Sequence, residues 1–170
     1  MISKPEYTDA PQYCHYFFDL VKDESLIDAL RNSFDDTINL IESISKEKEN
    51  YSYDRGKWTT NQVIRHIIDC ERVYAYRAFR FSRFDDTELA GFDENQYILH
   101  TQEIQLNLSE LKKEYINVRL SSIDLYEHMT PTMLDFKGKA NNVNFTARAL
   151  ACMTVGHNIH HCNFLVEKYL

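Results

Sequence analysis

Three of the chain's seven histidines fall within six residues, in Gly156-His157-Asn158-Ile159-His160-His161. On an α-helix His161 lies about 40° round from His157 and one turn further on, so both imidazoles leave the same face and can grip one ion. Leu150, Met153 and Phe164 share that face, which turns the pair toward the interior. An imidazole buried there needs a proton donor, an acceptor or a metal for its nitrogens. His66 lies on an earlier helical stretch, on a face it shares with Val63, Cys70 and Val73, and supplies a third inward imidazole. If the two faces oppose, three nitrogens form a facial site with positions left for water or substrate. That open shell belongs to a catalytic metal rather than a structural one.

Plainer uses compete with each of these residues. A lone inward histidine is more often a hydrogen-bonded core residue than a ligand. The pair lacks the glutamate of the zinc-protease motif His-Glu-x-x-His, and Asn158 stands in its place. Cys70, one turn beyond His66, is read as a small packing residue before a fourth ligand or a reactive thiol. Asp69 and Glu71 are candidates to orient an imidazole or act as a base. Asp69 is nearer the His66 face, whereas Glu71 points well away and suits a salt bridge or an indirect link. His160 sits at the edge of the inward stripe. Arg77, inward and about three turns past His66, is a candidate anion binder, with carboxylate pairing as its commoner use. His15, His100 and His128 are read as surface or capping residues.

Long helices must position these groups. Only 4 Gly and 3 Pro punctuate 170 residues, too few for a many-stranded sheet, so the class is all-α. Leu26, Leu30, Phe34, Ile38, Ile41 and Ile44 recur at three- and four-residue spacings and mark a first long helix over 25–45. Thr59 and Gln62 form a capping box that opens a second, running to about Phe84, with Phe81 and Phe84 on its inner side. A third spans about 109–129 and stops before Pro131. Residues 130–143 read as loop, and a fourth helix begins near Asn144 and continues almost to Leu170. The connection over 87–106 reads as a long crossover with a helical turn at 93–100. Residues 1–22, with the cluster Tyr13, Tyr16, Phe17 and Phe18, read as a packed arm lying across a bundle end. The fourth helix carries a second apolar side, Val155, Ile159, Cys162, Val166 and Leu170. Its cover is either the arm or a second subunit in a two-fold dimer.

Composition narrows the function class. With 44% hydrophobic residues the chain can bury a core, and one domain over 1–170 is expected. Nineteen Lys and Arg stand against 26 Asp and Glu, a net charge of -7, which argues against nucleic acid as a partner. No run suits a membrane span and the start is polar, so a cytoplasmic location is expected. The four cysteines show no Cys-x-x-Cys spacing and read as reduced packing residues.

Several motifs taken together resemble the DinB/YfiT-like superfamily of metal-dependent four-helix proteins. They are Pro5-Glu6-Tyr7, Gly56-Lys57-Trp58-Thr59, His66-Ile67-Ile68-Asp69-Cys70-Glu71-Arg72, Gly91-Phe92-Asp93-Glu94-Asn95, Ala149-Leu150 and the 156–161 segment. The resemblance implies an up-down-down-up four-helix bundle, often dimeric, with a long crossover between helices two and three. It also implies a divalent ion of the zinc or nickel type on His66, His157 and His161. His160 corresponds to a frequent extra histidine and is not carried over as a ligand. Relatives of known activity are similar to enzymes that use a low-molecular-weight thiol. The expected function is therefore a thiol S-transferase acting on a small molecule, with a metal-dependent hydrolase and a non-catalytic dimeric module as alternatives.

Overall fold

The structure, a computed structural model, describes residues 2–101 and 103–170. In chain order the helices are α1 (His15–Leu20), α2 (Leu26–Ser43), α3 (Thr60–Ser82), α4 (Glu94–His100), α5 (Leu108–Glu127), α6 (Pro131–Asp135) and α7 (Ala147–Lys168). Short 3-10 turns precede α1 and α3.

Local chemistry sets where the long helices begin. The Thr59 hydroxyl accepts the Gln62 amide, and the Gln62 side chain accepts the Thr59 amide. Asn107 and Glu110 do the same for α5, and the Thr146 hydroxyl accepts the Ala149 amide at the start of α7. Each cap satisfies amides that a helix start leaves without intrahelical partners. Helix α3 stops when Phe84 turns to φ 59°. That turn leaves Phe84 half exposed rather than on the inner stripe.

Side-chain pairs give the relative directions of the four long helices. Asn61 meets Leu106, Arg65 meets Glu114 and Glu71 meets Arg119, so positions rise together along α3 and α5. Across α2 and α5 they run oppositely, since Ser33 meets Arg119 and Glu42 meets Lys112. Helices that share a direction need a crossover. Here the connection includes α4, capped by the Asp93 carboxylate on the Asn95 and Gln96 amides.

The buried apolar residues form two clusters stacked along the bundle. One gathers Phe18, Leu30, Ala78, Phe81, Tyr126 and Leu150; the other gathers Ile41, Val63, Ile67, Leu111, Tyr115 and Leu165. Around the boundary between them lie buried polar residues: Ser33 and Thr37 on α2, His66 and Glu71 on α3, Arg119 on α5, and His157 and Asn158 on α7. A polar layer therefore crosses the middle of the bundle.

Two regions differ from the sequence reading. Residues 130–143 are not a plain loop. They hold α6 and the first strand of a hairpin, β1 (Lys137–Ala140) paired antiparallel with β2 (Val143–Thr146). The turn residues Asn141 and Asn142 have φ of 52° and 62°, which asparagine tolerates and a two-residue hairpin turn requires. Because β2 occupies Val143–Thr146, the last helix begins at Ala147 rather than near Asn144. Leu89 pairs with the hairpin edge and fastens the crossover to it.

The arm also departs from expectation: it runs along α7 instead of lying across a bundle end. Gly156 allows this. A Cβ there would stand 2.0 Å from the Phe17 carbonyl oxygen, so only glycine lets the two backbones approach so closely. The arm thereby helps to bury Cys152 and Val155, whereas Val166 near the end of α7 and Leu170 just beyond it stay more than half exposed. Among the described residues, no helix is long and apolar enough to cross a membrane.

Candidate metal centre

Helix α3 presents His66, and α7 presents His157 and His161, to a common point. The three Nε2 atoms are 3.0, 3.1 and 3.1 Å apart. His66 and His157 are buried and His161 is nearly so. Burial is the main cause that depresses all three pKa values: His66 falls to about 4, His161 to about 3, and His157 lies well below its ordinary value. The neighbouring histidines reinforce the effect. The rings are therefore neutral near pH 7 and hold lone pairs available to a cation.

Hydrogen bonds alone cannot satisfy this triangle. Each neutral Nε2 is either a donor or an acceptor, and three mutually adjacent atoms cannot alternate two roles. At least one contact must set donor against donor or lone pair against lone pair. In addition, the buried His161 Nδ1 has no partner. A divalent ion accepting one lone pair from each ring removes the conflict. The corners of the triangle lie roughly 1.8 Å from its centre, inside the ~2.0–2.1 Å of a metal–imidazole bond, so one ion close to that centre can reach all three. The donor set fits a divalent metal.

Aromatic rings hold the imidazoles. The Trp58 ring lies 4.8 Å from that of His66, while Phe17 and Tyr74 set their edges on His157 at 5.6 and 5.8 Å. A cleft of about 380 Å³ borders the cluster, with Tyr53, Trp58, His160, His161, Phe164 and Asn95 among its walls. His160 stands at this mouth with Nδ1 3.1 Å from the Tyr16 hydroxyl. Burial lowers its pKa as well.

The remaining candidates from the sequence lie elsewhere. Glu71 holds Arg119 through two contacts of 2.8 Å and touches no imidazole, because its position on α3 faces α5. Asp69 is turned toward Arg72, at 3.6 Å, on the α3–α5 side, and burial raises its pKa. Neither orients a ring. Arg77 is buried, donates to the Ala90 carbonyl at 3.0 Å and lies over the Phe92 ring; it anchors the crossover and does not border the cleft. Cys70 Sγ is 3.6 Å from His66 Nδ1, with its thiol pushed up to about 12 by burial. His15 contacts the Tyr7 carbonyl and His128 the Asp124 carbonyl, while His100 is exposed.

Sequence reading missed the other half of the polar layer. Arg119 is fully buried and also donates to the Leu30 carbonyl and the Ser33 hydroxyl. Asn158 Oδ1 accepts from the Tyr115 hydroxyl at 3.1 Å, and its amide donates to the Thr37 hydroxyl at 2.7 Å. One signal was available. Arg119 continues the stripe of Leu111 and Tyr115 at four-residue spacing, an arginine on a face bound for the interior.

Comparison with known proteins bears on the family and the fold. The family model of the DinB superfamily matches residues 29–165. YfiT from Bacillus subtilis, described as a probable metal-dependent hydrolase with an unusual four-helix bundle topology, superposes with a TM-score of 0.74 at 17% identity. The match covers 96% of this chain and 90% of YfiT. The DinB-like protein YjoA of Bacillus subtilis gives 0.61 at 19% identity, covering 85% and 89% of the two chains. These likenesses show a shared four-helix-bundle fold. No curated protein matches the sequence. The chain belongs to the DinB superfamily.

Proposed function

We propose that this DinB-superfamily chain is a metal-dependent enzyme acting on a small molecule, with one divalent ion held by His66, His157 and His161. The observation that carries this reading is the triangle of three neutral Nε2 atoms that no arrangement of protons satisfies. The chain's residues 1–170 are taken as one domain, with the arm as part of the site wall. Zinc and nickel are among the metals that suit an all-imidazole set.

When bound, such an ion supplies Lewis-acid stabilisation of developing negative charge and lowers the pKa of a nucleophile beside it. The chain's own residues do the rest. The three rings would hold the ion, and the cleft beside His161 would receive the substrate. Trp58, Phe17 and Tyr74 fix ring orientation and keep water from the buried side. His160, neutral and at the mouth, is placed to take up a proton from a nucleophile, while the Tyr16 hydroxyl at its Nδ1 holds the ring.

Hydrolysis is the first reading, supported by the description of YfiT and by a histidine base at the cleft. Transfer to a low-molecular-weight thiol is the second. One observation favours it: Asp69 and Glu71 both face away from the histidines, and a thiol needs less help than water to lose its proton. Activity toward ester and alkyl-halide panels, with and without added thiol, separates the two. Exposed Val166 and Leu170 support a second copy of the chain packing on the end of α7.

The metal reading is tested by elemental analysis after loading with zinc or nickel. Wild type is expected to retain about one ion per chain, and His157→Ala and His161→Ala each less than about a tenth of that. Equal retention overturns the proposal.

A further inference from the structure

The cleft beside the histidines has a fixed aromatic wall. Tyr53, Phe164 and Tyr169 meet edge to face, with centroids 5.6 Å apart for Tyr53–Phe164, 5.2 Å for Tyr53–Tyr169 and 5.8 Å for Phe164–Tyr169. The Tyr169 hydroxyl donates to the Trp58 carbonyl at 2.7 Å, which ties this wall to the segment carrying Trp58. Rings locked in this way present a surface that loses little freedom when a ligand arrives. At about 380 Å³ the space lies near the lower end of the ~300–1,000 Å³ typical of small-molecule sites.

Beside these rings and Trp58 the lining holds Val63 and Gly56, and its other polar side chains are Lys57, Asn95 and the two histidines His160 and His161, the latter a corner of the Nε2 triangle. A flat apolar group would gain edge and face contacts, each worth something beyond its buried area.

We infer that the substrate carries an aromatic ring beside its metal-binding polar group, the ring lying against Tyr53 and Phe164 while the polar group reaches the three histidines. This inference rests on the metal-centre reading and adds the substrate class. The wall is continuous with the site, since His161 and Phe164 are three residues apart on α7 and both line the cleft.

The test compares two chelating probes that differ only in the ring, benzohydroxamate and acetohydroxamate, on the zinc-loaded full chain. Trp58 is the sole tryptophan and lies against His66, so its fluorescence reports occupancy, with calorimetry as the check. Benzohydroxamate is expected to bind at least about tenfold more tightly. Phe164→Ala and Tyr53→Ala should each bring that ratio toward unity while zinc stoichiometry stays the same. Equal affinity for the two probes, or a preference that survives both substitutions, overturns the inference and leaves the metal centre standing. Failure of zinc to bind at all removes the proposed function and this inference together.

Discussion

The polar layer across the bundle has two halves of similar depth and opposite character. On the α2–α5 side, Glu71, Arg119, Ser33, Thr37, Tyr115 and Asn158 close on one another, and each charge meets a partner. On the α3–α7 side, three histidines face each other with nothing to complete them, and the His161 Nδ1 is left over. Buried polar groups are kept in proteins when they are satisfied. A set that its own chain leaves unsatisfied marks a place for a ligand. The closed half thus reads as architecture and the open half as a binding site, although both consist of buried polar side chains.

The largest effect that separates the halves is the response to pH in chelator-treated protein. The histidines titrate near 6.5 in the unfolded chain and far lower when folded, His66 at about 4 and His161 at about 3. Below pH 6.5 the unfolded state therefore binds more protons than the folded state. Stability is full above about pH 7 and falls as the pH drops toward 4. A tenfold change in proton affinity is worth about 1.4 kcal/mol, so His66 and His161 together lose several kcal/mol across this window, and His157 acts in the same direction. Urea midpoints at a series of pH values measure it. His66→Phe should flatten the curve, and an unchanged slope in that variant would contradict the assignment.

Breaking the closed half comes next. Arg119→Met leaves the Glu71 carboxylate buried without its cation and should cost about 3–5 kcal/mol in equilibrium unfolding. His157→Ala, measured without metal, should cost clearly less, because it relieves a conflict while opening a small cavity. If the two variants are equally destabilised, the contrast between the halves fails.

The smallest effect concerns the arm that shields the open half. Gly156→Ala forces a Cβ toward the Phe17 carbonyl and should destabilise by about 1–3 kcal/mol, as other overpacked substitutions do. Faster amide exchange confined to residues 12–20 is the expected signature. Unaltered exchange there would show that the arm does not depend on this contact.

The local half of the problem was open to reading from residues alone. Helix faces follow from a 3.6-residue period, so Leu26 through Ile44, the Thr59–Gln62 cap and the shared face of His157 and His161 needed no knowledge of neighbours. The Asn141-Asn142 pair also carried a turn signal, but four-residue strands lie too close to loop length to stand out. The partners across the bundle were different. That Glu71 meets Arg119 rather than an imidazole, that Arg77 holds the crossover, and that the arm follows α7 depend on which faces the helices turn to each other. A side chain's direction on its own helix is a short-range property of the backbone, whereas its partner is chosen by packing among segments up to 144 positions apart, as Tyr16 and His160 are. Three inward imidazoles could therefore be named from their spacing, and their meeting at one point required the fold.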